Sequence, residues 1–484
     1  MGKIKLNVFN KYGYLVAIVF TSILFFVGYF TNNLYLSSIG IYMILIYILV
    51  YSVLYKKIMI LIFCVSLSFF VLDRPISALV LGIDLIGTLS IESVYFTLFV
   101  CGLALISLKG GDDLYLHFHK EKIVNPTHSQ INIRVLRIVL IIIIIISSFC
   151  LVISQIDKLS YFSTHSYISL YTEYSSSVPY LIKIGSRFFP FAIICYLATS
   201  PKMTYSYMAL ALLIISKIPD VIIGSRQWMV LYFIFAIVYI WLRNKNTQVK
   251  ISSKNKKLLI ISTIVVAIIG LVILGKIGYD RSSEDYNGNS WKFLPNIAYV
   301  QSTTFDTIRQ IYDHKNDLPR NLFGNYSFGN IIENFEYNKI TEIVFKIKPI
   351  SNYNSVTRAT TGFSMAHQIS YIALGQLYLD GYGIGTSYLG EAYIDAGYLG
   401  VIILSMIIGY LMAYISNHTF EHWLKTSFIL EILLIIFYLP RESFGAIFDF
   451  IFSLTFWLTI CGSLGASWLI NKLIVLRKRH KINV

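Results

Sequence analysis

Roughly twelve stretches of this chain meet the requirement for crossing a bilayer as a helix, about 20 mostly apolar residues each. They lie near 12–30, 34–54, 58–72, 90–108, 138–154, 178–199, 205–223, 227–242, 258–275, 396–414, 426–440 and 447–470. The third is short, and the 205–242 block can be divided in more than one way. The expected fold is therefore all-α and integral to a membrane. Its 484 residues would allow two or three soluble domains, but the apolar runs leave no room for them. Composition agrees: 56% of residues are hydrophobic and 13% charged, about half the charge of ordinary soluble domains.

Alternating the runs across the bilayer separates the loops into two sets. One set is short and basic: Lys3, Lys5 and Lys11; Lys56 and Lys57; Lys109 through Arg137; Lys202; Arg243 through Lys257; Lys425; and Lys472, Arg477, Lys478, Arg479 and Lys481. Short loops dense in Lys and Arg stay in the cytoplasm, so both termini are expected there. The net charge of +15 is then mostly a topology signal, helped by anionic lipid. It does not call for a nucleic-acid partner. No small-residue cleavage pattern follows the first run, which reads as a retained helix.

Three regions follow: helices over 1–275, an extracytoplasmic segment over 276–395, and helices with a basic tail over 396–484. A connection as long as the middle one calls for structure or function of its own. It opens polar at Arg281-Ser-Ser-Glu-Asp-Tyr-Asn-Gly-Asn289, holds a short helix at 303–313, and closes with Gly362–Gly390, apolar enough to dip back into the membrane.

Cys64, Cys101, Cys150, Cys195 and Cys461 all sit inside apolar runs, which points away from disulfides or a zinc site. Gly381-Tyr-Gly-Ile-Gly385 lacks the strand–helix context of a dinucleotide fingerprint, and no Walker sequence is present. No cytoplasmic segment is large enough to bind a sugar nucleotide, so a glycosyl donor would have to arrive on a lipid. His117 and His119 lack partners for a metal site.

The informative residues are cations at the outward ends of helices. Arg226 lies in the hairpin turn Gly224-Ser225-Arg226-Gln227, Arg281 follows the ninth run, and Arg441 follows the eleventh in Leu-Pro-Arg-Glu-Ser-Phe-Gly. One arginine at an interface can simply snorkel. Three at one face suit a shared anion site, since guanidinium matches phosphate geometry. Arg309, Arg320 and Arg358 could join them, or Arg309 could pair with Asp306. Lys217 and Asp220 read as a neutralising pair. Glu391 and Asp395 share a helix face; they either complement the helix dipole or supply a general base facing the arginines. His367 is the rival for that base.

Three stretches carry a resemblance to the O-antigen polymerases of the Wzy type. These are Gly224-Ser225-Arg226, the segment Thr386-Ser-Tyr-Leu-Gly-Glu-Ala-Tyr-Ile-Asp-Ala-Gly-Tyr-Leu-Gly400, and Pro440-Arg441. The long outward loop before the antepenultimate helix matches as well. Against the arginine-x10-glycine loop pattern of some members the chain offers only inexact matches. The resemblance implies a GT-C-like polymerase or ligase architecture in the bacterial inner membrane. It also implies metal-independent glycosyl transfer with no cofactor. A glycan on undecaprenyl pyrophosphate would move onto a hydroxyl of a newly flipped repeat unit, with a chain-length regulator as a further partner. In that scheme Arg226, Arg281 and Arg441 bind pyrophosphate, while Glu391 or His367 is the base. An O-antigen ligase shares this architecture and donor. A repeat-unit flippase would instead show two related halves, which this chain lacks.

Overall fold

The computed structural model describes residues 12–119, 132–165, 169–225, 227–246, 293–319, 325–337, 339–347, 350 and 353–482. Among them every regular element is helical. Nine helices are long and apolar enough to span a membrane, and α1 (Tyr14–Phe30) is apolar but shorter. The nine are α2 (Leu34–Leu54), α3 (Ile58–Leu81), α4 (Ile91–Phe118), α5 (Ile133–Phe162), α6 (Tyr180–Ala198), α7 (Met203–Ile223), α8 (Gln227–Asn246), α15 (Tyr388–Ser416) and α17 (Leu454–Ile482). Between α8 and α15 lie α9 (Phe293–Gln301), α10 (Thr304–Asp313), α11 (Gly329–Glu336), α12 (Lys339–Phe345), α13 (Val356–Thr361) and α14 (Met365–Leu374). α16 (Trp423–Ile436) precedes α17.

The expected twelve spans are met in part. The 258–275 run lies outside the described residues. The 426–440 run is a 14-residue helix followed by a 3-10 turn at Leu439–Arg441. Two spans run further than their apolar stretches. α3 continues past Asp73-Arg74-Pro75 through a π-helical turn at Ser68–Leu72, where Asp73 accepts the hydroxyls of Ser68 (2.7 Å) and Tyr42 (3.2 Å). Pro75 falls in the first turn after that bulge, where a missing N–H is tolerated. α4 continues through Lys109-Gly-Gly-Asp-Asp because Lys109 pairs with Asp113 (2.6 Å) and Asp112 with Lys57 (2.8 Å).

The chain forms two compact units. One comprises 1–121, 265–417 and 436–446; the other comprises 122–264, 418–435 and 447–484. In the first, α4 and α15 cross with backbones almost touching: a Cβ at Gly111 would overlap Met406 O, and one at Gly409 would overlap Leu108 O. With lipid outside, such close packing replaces hydrophobic burial as the main source of helix association. The segment between α8 and α15 packs a small core, Ile311, Leu318, Tyr326, Met365 and Ile369, against Ile394 of α15. Arg309 ties α10 to the turn before α4, donating to Leu85 O, Ile86 O and Ser93 Oγ at 2.7–3.1 Å and pairing with Asp306 at 3.2 Å.

In the second unit, Arg137 holds the end of α6 through Thr199 and Ser200 carbonyls. Lys217 and Lys158 both pair with Asp220, at 3.0 and 2.8 Å.

Candidate functional site

The segment from Thr386 to Gly400 begins α15 and reaches two distant parts of the chain. Ser387 is its N-cap, extended in backbone, with Oγ accepting the Leu389 N–H at 3.3 Å. Glu391, in the first turn, is 1% exposed. Its Oε1 accepts the Thr386 hydroxyl at 2.8 Å and its Oε2 the Phe444 N–H at 3.4 Å. One turn on, the Asp395 carboxylate accepts the Tyr326 and Ser327 N–H groups at 2.8 and 2.7 Å. Two acids on one face thus anchor two segments, the turn at 439–446 and the 3-10 turn at Tyr326–Phe328 before α11.

Directly after Asp395 the helix breaks. Gly397 has φ +61° and ψ −151°, a conformation in which a Cβ is strongly disfavoured. Gly400 approaches so near Ala392 O that a Cβ there would overlap it. The chain therefore kinks between a short helical piece, 388–395, and the long membrane portion.

The turn that Glu391 holds carries Arg441 and Glu442. Arg441 is half-buried; its Nη1 donates to Gln301 O at 3.3 Å, and its guanidinium carbon lies 5.9 Å from the centre of the Phe70 ring. A guanidinium has five N–H donors, and this is its one hydrogen bond among the described residues. Glu442 accepts the Ser443 N–H on Oε1 at 3.1 Å. It is densely surrounded yet keeps accessible surface. Burial pushes its pKa above the usual carboxylate range, against the pull of the Ser443 N–H and of Arg441. The turn also touches the segment Asp395 anchors: Ser443 Oγ donates to Ser327 O at 3.4 Å, and Phe444 meets Phe328 edge-on at 5.6 Å.

A second arginine reaches the same surroundings. Arg74 on α3 lies 3.6 Å over the Tyr299 ring, donates to Tyr299 O at 2.7 Å and pairs with Asp306. Its Nε is buried without an acceptor among the described residues. Arg74 and Arg441 thus both end on carbonyls at the C-terminus of α9, where the helix dipole favours cations.

Of the residues singled out from sequence, Arg441, Glu391 and Asp395 meet around this turn. His367 lies on α14, within hydrogen-bonding distance of Tyr378 Oη at 3.0 Å. Burial, and then Arg358, lower its pKa to about 4, so it is neutral near pH 7. Tyr326 joins the two regions: its N–H is on Asp395 and its hydroxyl donates to Gln368 Oε1 at 2.6 Å. Arg358 pairs with Glu333 at 2.8 Å, and Arg309 is committed to the α10 anchor. Arg226, Arg281 and Arg320 lie outside the described residues. Gly381 and Gly385 both have positive φ in the turn before α15. No group of three or more His, Cys, Asp or Glu able to hold a metal ion occurs among the described residues.

Sequence reasoning missed Arg74 and Glu442. Asp73-Arg74-Pro75 reads as the end of a span, and in Pro-Arg-Glu the arginine alone stands out. A charged residue next to a proposed phosphate ligand is the signal that could have found Glu442.

A sequence model of one family, O-antigen polysaccharide polymerase Wzy, matches residues 14–473. No curated protein and no solved structure matches the chain.

Proposed function

The chain belongs to the O-antigen polysaccharide polymerase Wzy family, whose activity is polymerisation of O-antigen repeat units, and from that premise we propose how its residues perform the transfer. The donor is a growing glycan on undecaprenyl pyrophosphate, and the acceptor is a hydroxyl of a second lipid-linked repeat unit. Transfer takes place on the outer face of the inner membrane, with both termini cytoplasmic and a chain-length regulator as a partner. As the glycosidic bond to pyrophosphate breaks, negative charge grows on the leaving phosphate. Preorganised cations in a partly dry site stabilise such charge far better than water does. Arg441 is the central ligand, with Arg74 beside the same helix end and Arg226 and Arg281 as further ligands. This scheme requires neither a metal ion nor a cofactor.

The observation that carries this reading is Arg441 itself, a guanidinium on a turn fixed by Glu391 with four of its five donors unused by the described residues. Glu391 and His367 take supporting roles here instead of that of base. The Glu391 oxygens are both engaged in a buried site, and a histidine with a pKa of about 4 is a weak proton acceptor. Glu391 positions the arginine turn, and His367 braces α14 through Tyr378.

The test is a deletion strain complemented with wild type or Arg441→Ala. Wild type restores the glycan ladder. The variant, inserted at equal level, leaves single-unit glycans and accumulated lipid-linked repeat units. A wild-type-length ladder from the variant would remove Arg441 from the site. Complete loss of ligated glycan in the deletion strain, single units included, would point to ligation instead.

A further inference from the structure

The transfer proposed above needs a base for the acceptor hydroxyl. We propose that Glu442, the residue next to the arginine whose guanidinium receives the leaving group, is that base. The inference rests on the polymerase reading and adds the proton acceptor to it.

Most carboxylates around the turn are already engaged. Asp395 accepts two backbone N–H groups. Glu333 holds Arg358 together with the Phe363 and Ser364 N–H groups. Asp306 pairs with both Arg74 and Arg309. Asp313 accepts the N–H and the hydroxyl of Ser90. Glu391 is buried between Thr386 and Phe444. Each has its oxygens committed, so taking a substrate proton would require breaking a contact that holds the fold. Glu442 differs: Oε1 accepts one N–H, from Ser443, and Oε2 accepts nothing from the described residues. Glu442 and Arg441 form no ion pair with each other, so neither group neutralises the other at contact distance. Glu442 retains accessible surface where Glu391 has almost none.

Position supports the role. Glu391 Oε2 holds the Phe444 N–H while Glu442 Oε1 holds the Ser443 N–H. The backbone carrying Glu442 is thereby fixed at its next residue but one, and a base works best when its geometry is set before reaction. Burial also strengthens the carboxylate as a proton acceptor, and a base is most effective when its pKa approaches the working pH.

In the transfer, the acceptor oxygen attacks the anomeric carbon of the donor glycan and forms the new C–O bond. The bond from that carbon to the pyrophosphate oxygen breaks, and its electron pair leaves with the lipid pyrophosphate toward Arg441. The hydroxyl proton passes to Glu442 and then to water. One lipid-linked glycan longer by a unit and one lipid pyrophosphate result.

The test uses the full chain in nanodiscs and lipid-linked single repeat units extracted from the deletion strain. Wild type must elongate them; if it does not, the polymerase reading fails, whatever Glu442 does. Given elongation, Glu442→Gln is expected to lower kcat by about 100-fold or more, the usual contribution of a general base, with KM within threefold of wild type. Glu442→Asp keeps the charge one methylene back and is expected to retain an intermediate kcat. A Glu442→Gln kcat within threefold of wild type overturns the proposal, and so does a loss carried wholly by KM. Should Glu442→Gln not insert, Glu442→Asp decides: an unchanged kcat overturns, and a lowered kcat at unchanged KM supports.

Discussion

Arg74 and Arg441 donate to carbonyls two residues apart, Tyr299 O and Gln301 O, at the C-terminal end of α9. One arginine comes from an early membrane helix and the other from the turn after α16. Their convergence concentrates positive charge at a helix end that already carries partial negative charge. In the proposed site, an anion arriving there would meet cations that the fold has already aligned.

Lysine should therefore be a poor replacement. Arg441→Lys keeps the charge but loses the planar fork that grips phosphate with two donors. We expect a shortened ladder, between wild type and Arg441→Ala, read as modal chain length on gels. Arg74→Ala should shorten the ladder too and also lower stability by about 1 kcal/mol, because Asp306 loses one of its two arginine partners. Thermal unfolding in detergent separates the two effects.

Glu391→Gln and Glu391→Ala should diverge. Glutamine offers one carbonyl oxygen and retains part of the Thr386 and Phe444 contacts; alanine leaves both donors unsatisfied, at a cost of about 1–3 kcal/mol per buried group. If Glu391 positions the turn, Glu391→Gln keeps measurable elongation and Glu391→Ala loses both elongation and thermal stability. Equal, complete inactivity of the two at full stability would return Glu391 to the role of base.

Gly397→Ala tests the break in α15. Its φ and ψ are strained for any residue with a Cβ, at about 1–3 kcal/mol. The substitution should lower the unfolding temperature in detergent and loosen the Asp395 contact with Tyr326, read as faster proteolysis near 325–337. Unchanged stability would mean that the backbone at 396–397 is not held in this conformation.

His367 should make stability depend on pH in a defined direction. Its folded pKa of about 4 lies below the ordinary 6.5, so the unfolded chain binds the proton more readily. The contribution is fully present above pH 6.5 and is lost as pH falls through the interval toward about 4. His367→Gln should flatten the unfolding temperature over that interval. A slope identical to wild type would assign the dependence to other groups.

Much of the architecture was legible because membrane partition depends on one segment at a time. The hairpin at Gly224, the helix found at Thr304–Asp313 and the Lys217–Asp220 pair all follow from local composition and spacing. Local reading failed where distant partners changed the conformation a segment adopts. Lys109 and Asp112 read as loop residues, yet ion pairs with Asp113 and Lys57 keep them inside α4. Asp395-Ala-Gly397-Tyr reads as continuous helix, yet the chain kinks there, and the Asp395 anchor on 326–327 holds the piece before the break.

Sequence alone sufficed for an all-helical membrane protein, a basic set of loops and membership of the family. It also singled out Glu391 and Arg441 as candidates. What each of them touches appears only in the folded chain. Whether a carboxylate is free to accept a proton depends on which N–H groups reach its oxygens. For Glu391 and Asp395 those groups come from segments about 50 and 70 residues away, at Phe444 and at Tyr326 and Ser327. Hydrophobicity sums along a segment, but hydrogen-bond saturation exists only once distant segments have met.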